Sequence, residues 1–225
     1  MRTNTHHPLL ATAVALTVAV VSGCTSSSPT STPTPPSTSP TPLGYQVPDL
    51  VQFSEHWTPT GAVDLMSPDG TFIRAFIESA IVKDFSRSED HPYPGYDQAN
   101  RTNRQDISAY NANYGYTARR VLSLEEHPDN TVAAFICSYV SINPTNKDSP
   151  ATSGLTLRYH RTGTPPPANQ KGPARAPTVS VFGDWYATFY GYDGDSHTAD
   201  NRCIEYQPII DKSPVSTPGW PAQAV

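Results

Sequence analysis

Three cysteines, twenty carboxylates and five histidines beyond residue 8 are the groups in this chain able to do chemistry. His56, His91, His127, His160 and His197 are scattered. His91 and His127 stand beside prolines in loop-like sequence, where a solvated imidazole is the ordinary occupant. No GxSxG elbow, HExxH, Gly-rich phosphate loop or SxxK is present. No catalytic residue, metal ligand set or cofactor is therefore assigned. The most polar short stretch runs Asp193-Gly-Asp195-Ser-His197-Thr-Ala-Asp200. Its oxygens are of the kind a hard cation such as calcium takes, yet the spacing matches no known loop. A plain hairpin turn is the simpler expectation.

The first cysteine has the most informative surroundings. Arg2 opens the chain, a 13-residue apolar run extends from Leu9 to Val21, and Ser22-Gly23 lead directly into Cys24. A basic start, an apolar core and small residues before a cut describe a secretory signal peptide over residues 1–23. The run is shorter than the roughly 20 apolar residues a spanning helix needs. With the cysteine placed at the cut, the segment resembles the lipobox of bacterial lipoproteins. That resemblance implies that the Cys24 thiol is diacylated, that the preceding peptide is removed, and that the mature protein is anchored on the extracytoplasmic face of the cell membrane. Thr25 to Leu43 is almost wholly Ser, Thr and Pro, with nothing apolar enough to recover its ordering entropy. Residues 24–43 therefore read as a disordered tether, similar to the O-glycosylated linkers of actinobacterial lipoproteins. At roughly 3.1 Å per residue it holds the folded part of the chain several tens of ångströms from the membrane.

Once Cys24 is assigned to lipid, Cys137 and Cys203 remain as a pair. In an oxidising compartment such a pair bonds. Metal ligation is the alternative, weakened because neither cysteine belongs to a CxxC or has a histidine at ligand spacing.

Residues 44–225 suffice for one domain with a core. They hold all twenty acidic residues against fourteen basic ones, a formal charge near −6. No basic stripe is present, so nucleic acid is not an expected partner. Ser67-Pro68-Asp69 combines a cap, a tolerated first-turn proline and a carboxylate at the positive end of the dipole. The adjoining TFIRAFIESAIVKDF sets Phe72, Ile73, Phe76, Ile77, Ala80 and Ile81 on one wide face, with Arg74, Glu78 and Lys83 elsewhere. This predicts an amphipathic helix ending near Phe85, with Glu78 toward solvent. A shorter helical segment is expected from Gly95 to about Arg104. Period-two alternation then predicts strands at Tyr116–Leu124, Val132–Ile142, Leu155–Arg161 and Val179–Tyr192, with His127-Pro128-Asp129-Asn130 as a turn.

The expected fold class is α+β: one or two N-terminal helices packed against a curved antiparallel sheet of about four strands. This order of elements, over residues 67–208, resembles the nuclear-transport-factor-2-like cone, and SPDGTFIRAFIESA, YPGY and SVFGDWYATFY are similar to exported mycobacterial proteins. The cone resemblance implies a pocket between helix and sheet, for which Tyr159, Asp184, Trp185, Tyr186 and Tyr190 are the candidates; strand aromatics are otherwise core. The loop Thr162–Thr178 carries five prolines, Lys171, Arg175 and no acid. It is either a preorganised positive docking strip or a mobile spacer.

The expected function is an envelope binding module for a protein partner, a cell-wall polymer or a small apolar ligand. The alternatives are an isomerase-like or hydrolase-like envelope enzyme and, by layout alone, a prophage-type surface-exclusion lipoprotein.

Overall fold

Ser67 caps the long helix as its sequence predicts, its hydroxyl accepting the Gly70 N–H at 3.1 Å at the head of α1 (Pro68–Ser86). The computed structural model in which this is seen describes residues 44–103, 114–141 and 150–222. All of these belong to one unit, Thr41–Val225. The signal peptide 1–23, Cys24 and the tether to residue 43 lie outside the described residues, as do Arg104 and Ile142, where two expected elements end. Among the described residues no helix is long and apolar enough to cross a membrane.

The apolar face of α1 is buried as expected: Phe72, Ile73, Phe76 and Ile77 are fully enclosed. Phe72 packs on Tyr159 with ring centroids 4.8 Å apart, and Phe76 lies between Tyr96 (5.2 Å) and Tyr190 (5.8 Å). The other face departs from expectation. Arg74 is 0% and Glu78 only 3% exposed, so α1 is covered on both sides. The covering segments come from far along the chain. Thr71 donates to the carbonyl of Pro167 at 2.9 Å, Arg74 to that of Gln170 at 2.8 Å, and the Trp220 indole to Glu78 at 2.7 Å. The proline-rich loop is therefore packed along α1 at Pro167 and Gln170.

The fold is α+β, with an open sheet of five strands in the order β1-β2-β3-β4-β5. This corrects the expected four-stranded antiparallel sheet. The additional strand, β1 (Gln52–Trp57), precedes the helix and pairs in parallel with β2 (Tyr114–Glu126), so the sheet is mixed. β3 (Thr131–Ser141) and β4 (Ala151–His160) continue as an antiparallel meander. β5 (Tyr186–Gly191) is shorter than predicted, because Gly183 at φ 59° breaks the run from Val179. Each edge strand carries one isolated bridge to another segment. Along β1, the Thr217 carbonyl accepts the Trp57 N–H (2.7 Å) and the Thr217 N–H donates to Glu55 O (2.8 Å); along β5, the Arg101 N–H binds Ala187 O (2.9 Å). The expected second helix is a single turn, α2 (Tyr96–Ala99).

A second, smaller core lies on the opposite face of the sheet, where Phe135, Cys137 and Tyr139 meet α3 (Ser196–Ile204) through Ala199 and Cys203. Cys137 and Cys203 form a disulfide between β3 and α3, with Cα atoms 5.5 Å apart. Gly154 permits the close approach of α3, since a Cβ there would stand 2.3 Å from Ala199 O. The acidic stretch read as a hairpin turn is thus the start of a helix: Asp195 is its cap, accepting from Thr198 N at 2.7 Å.

Candidate functional site

Alternation along the strands places Thr117 and Arg119 of β2 and Ser138 and Val140 of β3 on the face that α1 covers. The register aligns Arg119, Ser138 and Ser153 in one row across three strands, with Thr117, Val140 and Ala151 in the next. Above these rows, the C-terminal half of α1 leaves a cleft of about 290 Å³. Ile81, Phe85, Leu155 and Tyr190 form its apolar walls, while Thr117, Arg119 and Ser138 form a polar floor.

Arg119 is held in place by a buried ion pair. Its Nε donates to Glu55 Oε2 at 2.8 Å, Nη2 lies 3.5 Å from Oε1, and Nη1 donates to Ser138 Oγ. The Thr117 hydroxyl also donates to Glu55. Burial is the largest single influence and depresses the guanidinium pKa, but Glu55, Tyr190 and Glu78 together outweigh it and the net direction is up. The two opposite charges compensate each other within the pair.

A second carboxylate, Glu78, sits deeper. Trp57 Nε1 donates to its Oε1 (2.8 Å) and Trp220 Nε1 to its Oε2 (2.7 Å). The single hydroxyl proton of Tyr93 is shared between Glu78 Oε2 (3.1 Å) and Arg175 O (3.2 Å). Burial pushes the Glu78 carboxyl up to about 7, opposed by Arg74, whose guanidinium lies 4.4 Å above the Trp220 ring. The cavity beside Glu55 and Glu78 holds about 10 Å³, room for one water at most. Glu78 is thus a carboxylate of shifted acidity with no space for a substrate.

Of the five pocket candidates, the structure brings Tyr190 to the cleft. Tyr159 and Trp185 are core, stacked with centroids 5.8 Å apart, and the Tyr159 hydroxyl donates to Asp69. Tyr186 is half-buried between His160 (5.1 Å) and the guanidinium of Arg101 (3.6 Å). Asp184 is exposed and accepts from Thr164 N at 2.6 Å, a hydrogen bond that lowers its pKa. Lys171 is exposed on the proline-rich loop, whereas Arg175 turns inward and donates to the carbonyls of Val51 (2.6 Å) and Phe53 (3.2 Å). The two do not form one positive strip.

The acidic stretch does not gather its oxygens. Asp193 pairs with Arg158, Asp195 caps α3, and Asp200 accepts from Gly154 N at 2.8 Å. Among the described residues no group of His, Cys, Asp and Glu is placed to hold a metal ion.

Two arrangements escaped sequence reasoning. Arg119 and Ser138 were detectable as polar residues at inward positions of alternating strands, Thr117-Arg119-Val121 and Ile136-Ser138-Val140. The other comprises Ser54, His56 and Asp211: His56 Nε2 is 3.2 Å from Ser54 Oγ, and Nδ1 is 3.7 Å from Asp211. This does not make a hydrolytic triad. Nε2 also lies 3.1 Å from the carbonyl of Ser213, and a carbonyl only accepts, so Nε2 carries the proton and has no lone pair for a serine hydroxyl. Ser54 is moreover only 3% exposed. The group fastens the C-terminal strap over β1.

Comparison with protein-family models, curated proteins and solved structures finds no match for this chain.

Proposed function

We propose that this chain is a lipid-anchored binding module of the extracytoplasmic membrane face, and that the cleft under α1 receives a small, largely apolar ligand. The cleft carries this reading: it is a concave space whose apolar walls meet a few convergent polar groups, the usual make-up of a small-molecule site. At about 290 Å³ it stands at the lower end of such sites, which run from roughly 300 to 1,000 Å³. A compact molecule fits; a diacyl lipid does not. The carboxylates Glu55 and Glu78 support binding over catalysis, because the first is held by Arg119 and the second is enclosed by two indoles. The lipobox at Cys24, the tether and the Cys137–Cys203 bond support placement outside the cell.

Titration of the Thr41–Val225 unit with neutral N-phenyl-1-naphthylamine tests the cleft. Its emission should rise and saturate at one probe per chain, and Leu155→Trp, which fills the space, should abolish the rise. No rise with the parent, or an equal rise with the variant, would overturn the reading.

A further inference from the structure

We infer that the ligand presents an uncharged hydrogen-bond acceptor, of the carbonyl type, to Ser138 and Arg119, with its apolar body against Ile81, Phe85, Leu155 and Tyr190. This rests on the binding reading above and assigns the chemistry that the cleft selects. The donors and acceptors of the floor are unequal in number. Arg119 has five N–H donors and no acceptor. Nε and Nη2 face Glu55 and one Nη1 hydrogen goes to Ser138 Oγ, which leaves N–H hydrogens on both terminal nitrogens. Ser138 accepts from Arg119, so its own proton is the group it can direct at a ligand. The Thr117 proton is taken by Glu55, and both Glu55 oxygens already receive donors. Among Thr117, Arg119, Ser138 and Glu55 donors are therefore in excess. A purely apolar guest would bury them unsatisfied, and a guest that donates would oppose them.

Charge decides which acceptor. The Arg119 guanidinium is paired with Glu55 at 2.8 Å. An anionic ligand would give up its hydration to meet a cation already paired with Glu55. A carbonyl oxygen takes the same hydrogen bonds without that cost. Selection then comes from leaving the site's donors unpaired when the acceptor is missing, the kind of discrimination buried polar groups deliver.

Three probes of one shape separate the possibilities: 2-acetylnaphthalene, 2-ethylnaphthalene and 2-naphthoate, titrated into the Thr41–Val225 unit by calorimetry. The ketone should bind about tenfold tighter than the hydrocarbon, the increment of one good hydrogen bond in a dry site, and tighter than the anion. Ser138→Ala should reduce the ketone's advantage over the hydrocarbon, a ratio read within one protein and so its own control for folding. Equal binding of ketone and hydrocarbon, both blocked by Leu155→Trp, would overturn acceptor recognition while leaving the cleft reading intact. Tightest binding by naphthoate would overturn the neutral-ligand assignment, and binding by none of the three would overturn both readings.

Discussion

Replacing Glu78 by glutamine keeps the shape of the side chain and removes its titration, so it isolates the consequence of burying a carboxyl between Trp57, Trp220 and Tyr93. Burial raises this group from 4.5 to about 7. The sign is direct: the native state holds its proton more tightly than the unfolded chain. The associated stability is fully present below about pH 4.5 and is lost as pH rises through 7. At roughly 1.4 kcal/mol per unit the whole effect is about 3 kcal/mol, of which about 2–3 kcal/mol falls between pH 5 and 8. Glutamine cannot satisfy the same partners, because its amide N–H₂ must face either Trp57 Nε1–H or Trp220 Nε1–H, both donors. That mismatch costs about 1–3 kcal/mol at pH 5. At pH 8 the parent has lost its own advantage and the two proteins should converge. Urea unfolding of parent and Glu78→Gln at pH 5, 6, 7 and 8 gives the difference curve, in which all other titrating groups cancel. A difference independent of pH would mean that the two indoles and Arg74 keep Glu78 ionised throughout, and that burial does not govern its acidity.

Other outcomes rest on the same contacts. Phe76→Ala, at a fully buried position between Tyr96 and Tyr190, should destabilise by about 3–5 kcal/mol in chemical denaturation, and a loss below about 1 kcal/mol would contradict the enclosure of α1. Cys137 and Cys203 are 66 residues apart, so the Cys137→Ala/Cys203→Ala protein should lose about 4 kcal/mol, and alkylation of the denatured, unreduced parent should modify neither residue. Cys24→Ser in the full chain should leave the detergent phase in a partitioning assay, whereas a variant that partitions like the parent with its signal peptide removed would rule out the anchor.

The legible part of the fold was the part governed by local pattern. Ser67, Pro68 and the apolar spacing to Ile81 are properties of one helix, and the meander β2-β3-β4 shows in alternation and a four-residue turn signal. What failed depended on partners far away. Arg74 and Glu78 look like a solvated face because a helical pattern has no view of Trp220, which is 142 residues from Glu78 in sequence. β1 carries Gln52, Ser54, Glu55 and His56 in six residues and has no hairpin to a neighbour, since its partner β2 begins at Tyr114. α3 was hidden by its polarity, although Asp195 capping Thr198 and Ala199–Cys203 at helical spacing were signals for it. The run from Val179 to Trp185 has strand-like residues, and its buried members, Val181, Phe182 and Trp185, pack without forming a strand.

The candidate site divides along the same line, and the division has a chemical consequence. Tyr190 was readable because an aromatic on a strand beside a helix is a natural pocket wall. The character of the floor was not readable, because it is set by Glu55 on the unexpected strand. That residue joins two parts of the molecule. Its backbone N–H binds Ser216 Oγ (3.0 Å) and its carbonyl takes the Thr217 N–H (2.8 Å), which seats the C-terminal strap. Its side chain neutralises Arg119. Without Glu55 the floor would hold a buried, unpaired guanidinium; with it, the charge of Arg119 is compensated in place. A buried ion pair of this kind is a poor source of net stability, since desolvation offsets most of its attraction. Its effect beneath the cleft is to compensate the charge of Arg119, and the strap that holds β1 in register seats Glu55 without lining the cleft.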